Sequence, residues 1–349
     1  MTATPSAEAQ LVFLTKLQRL FAEGDFTATY KFALLIALAD LAVELGCDDG
    51  KPLLLSNRAI AGKFIEQYWQ HTAPYSIGRP GSEPGVLAQN NGAQAAVIIA
   101  ITEFRRHNPM ATVQSASSLR GYVALVGRVA LTVSAQPLNY LQNLGGQAVP
   151  FLYERVTGAT VLLPGVGFCL RRFQPLVQQL ARSHWVAHIK RNRLNLPLLG
   201  EKDDLAGFLF ETPRQVLEII GSGLKRLTGS QCFYCGSKVD RADVDHFVPF
   251  SMYPRDLMHK FVLAHPACNR SKSNALAARP HLERWLEYIL RHSDDLREIG
   301  QAAGRTADLT ASRAVSRWGY SNAFAGGGQA WLCSGVYERV GEEYMDCLT

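Results

Sequence analysis

The chain has 349 residues, 47% hydrophobic and 19% charged. That globular balance excludes a disordered or collagen-like polymer and leaves room for two domains. The net charge is only +6, but residues 101–200 hold 11 basic and 2 acidic side chains, so nearly all of the excess lies in the middle of the chain. Apolar runs are broken by charge, as 32–45 is by Asp40 and Glu44, which excludes the ~18 uncharged residues of a membrane span. The first ten residues lack a basic region followed by an apolar core, and seven scattered cysteines are too few for a disulfide scaffold. A soluble, cytoplasmic protein is expected.

In chain order, Leu11, Leu14, Leu17, Leu20 and Phe21 recur at helical spacing until Gly24-Asp25. The run 27–45 is apolar on most faces and predicts a buried helix ending at Gly46. Residues 72–92, rich in Pro, Gly, Ser and Asn, predict a long loop, with helices over about 93–107 and 117–143. The stretches 149–156 and 159–163 flank Thr157-Gly158 and predict a hairpin. Helical spacing returns over 173–193, with Trp185 and Ile189 on the apolar face, and again over about 203–228. Eleven cations against two anions, mostly Arg, suit a polyanion better than an ordinary solvated face. Arg171, Arg172, Lys190 and Arg191 are the expected DNA contacts there.

Residues 231–274 differ in kind. Cys232 and Cys235 form a C-x2-C pair, and His265 and Cys268 repeat the spacing 29 residues later. Two such pairs predict a closed Cys3His zinc site with a structural role, against the plainer reading of two accidental pairs. Between them stands Asp245-His246, and Asn269 follows the last cysteine. Asp245 and the Asn269 carboxamide are hard oxygen ligands for Mg²⁺ or Mn²⁺, and His246 can take a proton from an attacking water.

With these motifs, residues of about 228–292 resemble the HNH endonucleases of ββα-metal fold. The resemblance implies a zinc-knuckled hairpin presenting Asp245 as metal ligand and His246 as general base, and a following helix returning Asn269 as second ligand. It also implies that Arg270 and Lys272 face the phosphate backbone. The family often has an Asn where this chain has Lys260, preceded by His259. An inward Lys260 is expected to compete with the catalytic metal at Asp245. A solvent-facing one would leave the loop contact to His259 or Asn274.

The expected architecture is α+β, mostly α: a helical recognition domain over 1–228, an HNH nuclease domain over 229–295 and a helical tail over 296–349. The expected function is metal-dependent DNA hydrolysis with a structural Zn²⁺. Its setting, by analogy, is prokaryotic restriction or anti-phage defence. A dimer or defence-system partners are compatible with one active site per chain. The alternatives are a catalytically impaired zinc module that binds nucleic acid or a protein, and an RNA nuclease. Cys47, Cys169, Cys333 and Cys347 belong to no motif and read as packing or surface thiols. Gly326-Gly327-Gly328 reads as a turn.

Overall fold

The computed structural model describes residues 4–75, 83–200 and 204–348. Residues 76–82 of the expected loop, and residue 203 of the expected 203–228 helix, lie outside the described residues. The chain forms two compact units, Met1–Glu211 and Thr212–Thr349. No helix among the described residues is long and apolar enough to cross a membrane.

Unit 1 contains α1 (Ala7–Glu23), α2 (Tyr30–Leu45), β1 (Leu53–Ser56), α3 (Asn57–Trp69), α4 (Ala96–His107), α5 (Val113–Ala116), α6 (Tyr122–Ala135) and α7 (Pro137–Tyr140). It continues with β2 (Asn143–Leu144), β3 (Gln147–Ala148), β4 (Tyr153–Val156), β5 (Ala159–Leu162), α8 (Val166–Arg172), α9 (Gln174–Arg191) and α10 (Leu205–Phe210). Helix α2 is buried from Phe32 to Val43, as a sequence apolar on most faces requires, and packs among α3, α8 and α9. Of its two carboxylates, Asp40 accepts a hydrogen bond from Gln178 Nε2 at 2.7 Å and Glu44 pairs with Lys63 at 2.8 Å. The β4–β5 hairpin forms as expected, and β1 adds a third antiparallel strand to β5. Trp185 and Ile189 are fully buried in the core.

The basic block is partly consumed by this fold. Arg171, expected at DNA, is buried: its guanidinium pairs with Asp48 at 2.6 Å and donates to the carbonyls of Ala42, Val43 and Gly46. It caps the C-terminal end of α2, where carbonyls lack helical partners and a cation is favoured. Arg172, Lys190 and Arg191 are exposed.

Unit 2 contains α11 (Arg214–Thr228), β6 (Asp243–His246), β7 (Phe261–Ala264), α12 (Pro266–Lys272), β8 (Leu276–Ala277), α13 (Arg279–Arg291), α14 (Ser293–Ala303), α15 (Leu309–Ala325), β9 (Gln329–Cys333), β10 (Val336–Arg339) and α16 (Glu343–Asp346). The boundary expected at 228 falls at the end of α11, which lies in unit 2 and packs against β6, β7 and α14. A Cβ at Gly223 would sit 2.7 Å from the Ile299 side chain, so the close approach of α11 and α14 depends on that glycine.

The tail is not wholly helical. After Gly326–Gly328 it forms the β9–β10 hairpin, and β9 pairs in parallel with β8 through Leu276 and Ala330. Trp331 on β9 donates its indole N–H to Ser271 on α12 at 3.0 Å and meets Tyr234 edge-on. The C-terminal segment is therefore part of the wall behind α12. From the other side, Trp285 of α13 stacks on Phe247 and donates to the His259 carbonyl.

Candidate active site and metal centre

Four of the expected ligands converge. The ligating atoms of Cys232, Cys235, His265 and Cys268 lie within 4.8 Å of one another, the span of one tetrahedral ion with Zn–S of about 2.3 Å. The knuckle turns because Gly236 takes φ +72°, which lets its N–H reach the Cys232 carbonyl. Phe233 N–H then anchors the knuckle to Leu263 on β7. His265 Nδ1 lies 3.2 Å from Cys235 Sγ, and its Nε2 lies 3.2 Å from the Lys238 carbonyl. A bond to that carbonyl fixes Nε2 as the protonated nitrogen and frees Nδ1 for a metal.

The thiols cannot all ionise without a cation. Burial opposes ionisation of Cys235, but hydrogen bonds from Ser237, Cys232 and His265 bring its pKa down to about 7. Cys268 is pushed up to about 12 by burial and by the charges of Cys232 and Cys235. A divalent ion relieves this repulsion, so the donor set fits zinc.

The second cluster is built on the antiparallel β6–β7 pair, where Asp245 faces Val262 and His246 faces Phe261. Alternation along β6 sends Asp243 and Asp245 towards α12. There Asn269 Nδ2 donates to Asp243 Oδ2 at 3.1 Å, and Lys272, one turn on, pairs with Asp245 Oδ2 at 3.1 Å. Tyr234 donates its hydroxyl to the same Asp245 oxygen at 2.5 Å. Lys272 also donates to the His246 carbonyl at 2.9 Å. The expectation that Lys272 faces phosphate is thus corrected: its side chain is fully buried. Arg270 is exposed.

His246 points elsewhere. Its Nε2 lies 2.7 Å from Asp256 Oδ1, and its ring meets Phe261 and Phe250. Asp256 also accepts a hydrogen bond from the Thr212 hydroxyl. Burial resists its ionisation, but the His246 bond and charge, the Thr212 bond and the Arg305 charge hold it well below the usual carboxylate range. Asp256 carries no motif in the sequence and lies in the 247–260 connection, where no periodicity marks it. Asp243 shares the Asp245 face through the Asp-Val-Asp-His alternation, the one local sign of its place.

Lys260 takes neither of its expected positions. It is fully buried and donates Nζ to the carbonyls of Tyr253 at 2.6 Å and Arg255 at 3.0 Å, with its ammonium over the Tyr253 ring. It thereby braces the loop that carries Asp256. The cation beside Asp245 is Lys272.

Two carboxylates and a carboxamide on facing elements give the all-oxygen donor chemistry that Mg²⁺ or Mn²⁺ takes. The carboxylate that Asn269 contacts is Asp243, and Asp245 is held by Tyr234 and Lys272. The family model of HNH endonucleases matches residues 232–278. No curated protein and no solved structure matches the chain.

Proposed function

We propose that the protein is a metal-dependent endonuclease that hydrolyses DNA phosphodiester bonds at β6 and α12 of unit 2. The observation that carries this reading is the pairing of Asp256 with His246 of β6, the strand whose Asp243 and Asp245 face Asn269 and Lys272 of α12. Asp256 accepts the Nε2–H of His246, which leaves Nδ1 with its lone pair to take a proton from water. Asp245 and Asn269, with Asp243 beside them, would hold Mg²⁺ or Mn²⁺. When bound, the ion would supply Lewis-acid stabilisation of the developing phosphate charge. Exposed Arg270 follows Asn269 on α12 and supports a backbone contact.

Zinc at the Cys3His cluster would hold β6, β7 and α12 together without reaching substrate, since four protein ligands leave no open position. A thiolate cluster of this kind needs reduced cysteines, which supports a cytoplasmic setting. In unit 1, exposed Arg172, Lys190 and Arg191 support a role in holding DNA. A nuclease joined to a separate basic unit suits restriction or anti-phage defence by analogy.

One observation favours a second reading, a zinc-stabilised nucleic-acid-binding module with impaired catalysis: Lys272 occupies Asp245. The test is incubation of the full chain with matched DNA and RNA strands, each with Mg²⁺, Mn²⁺ or chelator. Metal-dependent cutting of DNA, which has no 2′-hydroxyl, supports hydrolysis by the proposed site. Binding without cutting supports the second reading, and cutting confined to RNA would replace DNA with RNA as substrate.

A further inference from the structure

Unit 1 holds a cleft of about 700 Å³, within the range of small-molecule sites. It opens between the α1–α2 turn and the last turns of α9. Its floor is the buried Phe32 ring, and half-buried Phe21 and Phe26 line it with exposed His184. The three phenyl planes lie within 10° of one another, and His184 stacks on Phe21 with centroids 4.6 Å apart. Arg191 and Arg193 stand on the lining, which includes no carboxylate among the described residues.

The walls are tied together. Asn192 donates to the Asn90 carbonyl at 2.9 Å, and Asn91 N–H donates to Thr27. These bonds fix the end of α9 and the loop at 90–91 against the α1–α2 turn. Nε2 of His188, which also lines the cleft, is buried with no hydrogen-bond partner among the described residues. Burial and the Arg191 charge hold the His184 pKa below its ordinary value, so its ring is a neutral stacking surface at pH 7.

Parallel aromatic planes accept the flat face of a nucleobase, and guanidiniums on the lining accept a phosphate. A base paired inside a duplex cannot reach such planes without leaving its stack. We propose that this cleft binds an unpaired nucleotide, its base against Phe21, Phe26 and His184 and its phosphate at Arg191 and Arg193. The ligand could be a nucleotide within a single strand or a free mononucleotide. Neither depends on the hydrolytic reading of unit 2.

The experiment measures binding to the full chain without divalent metal. The probes are a short labelled oligodeoxythymidine, the same strand in duplex, and thymidine monophosphate. The variants are His184→Ala, which leaves the charge at pH 7 unchanged, and Arg191→Glu, both at exposed positions and both checked for wild-type melting. The expected result is a loss of about tenfold or more in single-strand or mononucleotide affinity in His184→Ala, with duplex affinity unchanged in that variant. Loss for the strand alone identifies a DNA strand as the source, and loss for the mononucleotide alone identifies the free nucleotide. Unchanged affinity for both in His184→Ala, or an equal loss for duplex, would overturn the proposal.

Discussion

His246 Nε2 lies 2.7 Å from Asp256 Oδ1, and that carboxylate is in turn bonded by Thr212. A buried carboxylate kept ionised is a fixed acceptor for the imidazole N–H. It sets both the ring orientation and the nitrogen that remains basic.

The first prediction follows. Asp256→Ala should slow cleavage by about tenfold or more, a part of the 10²–10⁴ a positioned base supplies. Asp256→Asn should retain more activity, because a carboxamide oxygen still accepts from Nε2–H. Single-turnover rates at saturating metal check this, with the ¹⁵N shifts of His246 reporting the tautomer. Equal rates in wild type and Asp256→Ala would remove Asp256 from the account.

The zinc site should be stoichiometric. Protein purified without added zinc is expected to carry about one zinc per chain. Cys235→Ser should lose the metal and lower the melting temperature of unit 2, because zinc binding energy is folding energy. Metal analysis and calorimetry read both quantities. Undiminished zinc and unchanged melting in the variant would contradict a closed Cys3His site.

Arginines of the basic block should divide by burial. Reversing exposed Arg172, Lys190 and Arg191 to Glu should weaken duplex binding across sequences and flatten its salt dependence by up to about 0.9 per lost phosphate contact. Arg171→Ala should instead destabilise unit 1 by about 1–3 kcal/mol, chiefly because it leaves the buried carbonyls at the end of α2 without a donor. Salt titrations of binding and denaturant melts separate the two effects.

Acid should weaken unit 2 through His259. This ring is buried, both nitrogens lack hydrogen-bond partners among the described residues, and burial pushes its pKa down to about 4, with Asp308 acting upward and Arg297 downward. The unfolded histidine titrates near 6.5, so between these values the unfolded chain binds the extra proton. The contribution is full above about pH 6.5 and lost as pH falls towards 4, on the order of 3 kcal/mol. His259→Leu breaks no side-chain hydrogen bond and should shrink that loss. An unaltered pH dependence of melting in the variant would assign the acid sensitivity to other groups.

What the sequence disclosed followed short-range chemistry. The zinc knuckles, the Asp-His strand and the Asn-bearing helix each sit in a local spacing, and α2 announced its burial by being apolar on most faces. The misses are long-range. Arg171 and Arg172 are adjacent and alike in sequence, yet only the first meets the end of α2, 123 residues away from its partner Asp48. Lys272 stands at Asp245, a place expected of Lys260, while Lys260 turns to the Tyr253 and Arg255 carbonyls. The reason is the same: burial of an ammonium depends on which carbonyls and carboxylates the fold brings to it. Asp256 had no local sign because its partner His246 faces it across an irregular loop. The C-terminal hairpin was hidden by a helical expectation for the tail, although Gly326–Gly328 marked the break.

The most direct test is the initial rate of nicking of supercoiled plasmid in Mg²⁺ by wild type and by His246→Ala of matched zinc content. The account predicts a nicked product from wild type that disappears with chelator, and a rate lower by about 10²-fold or more in His246→Ala. Equal metal-dependent nicking by the two proteins would place the general base elsewhere and contradict the account.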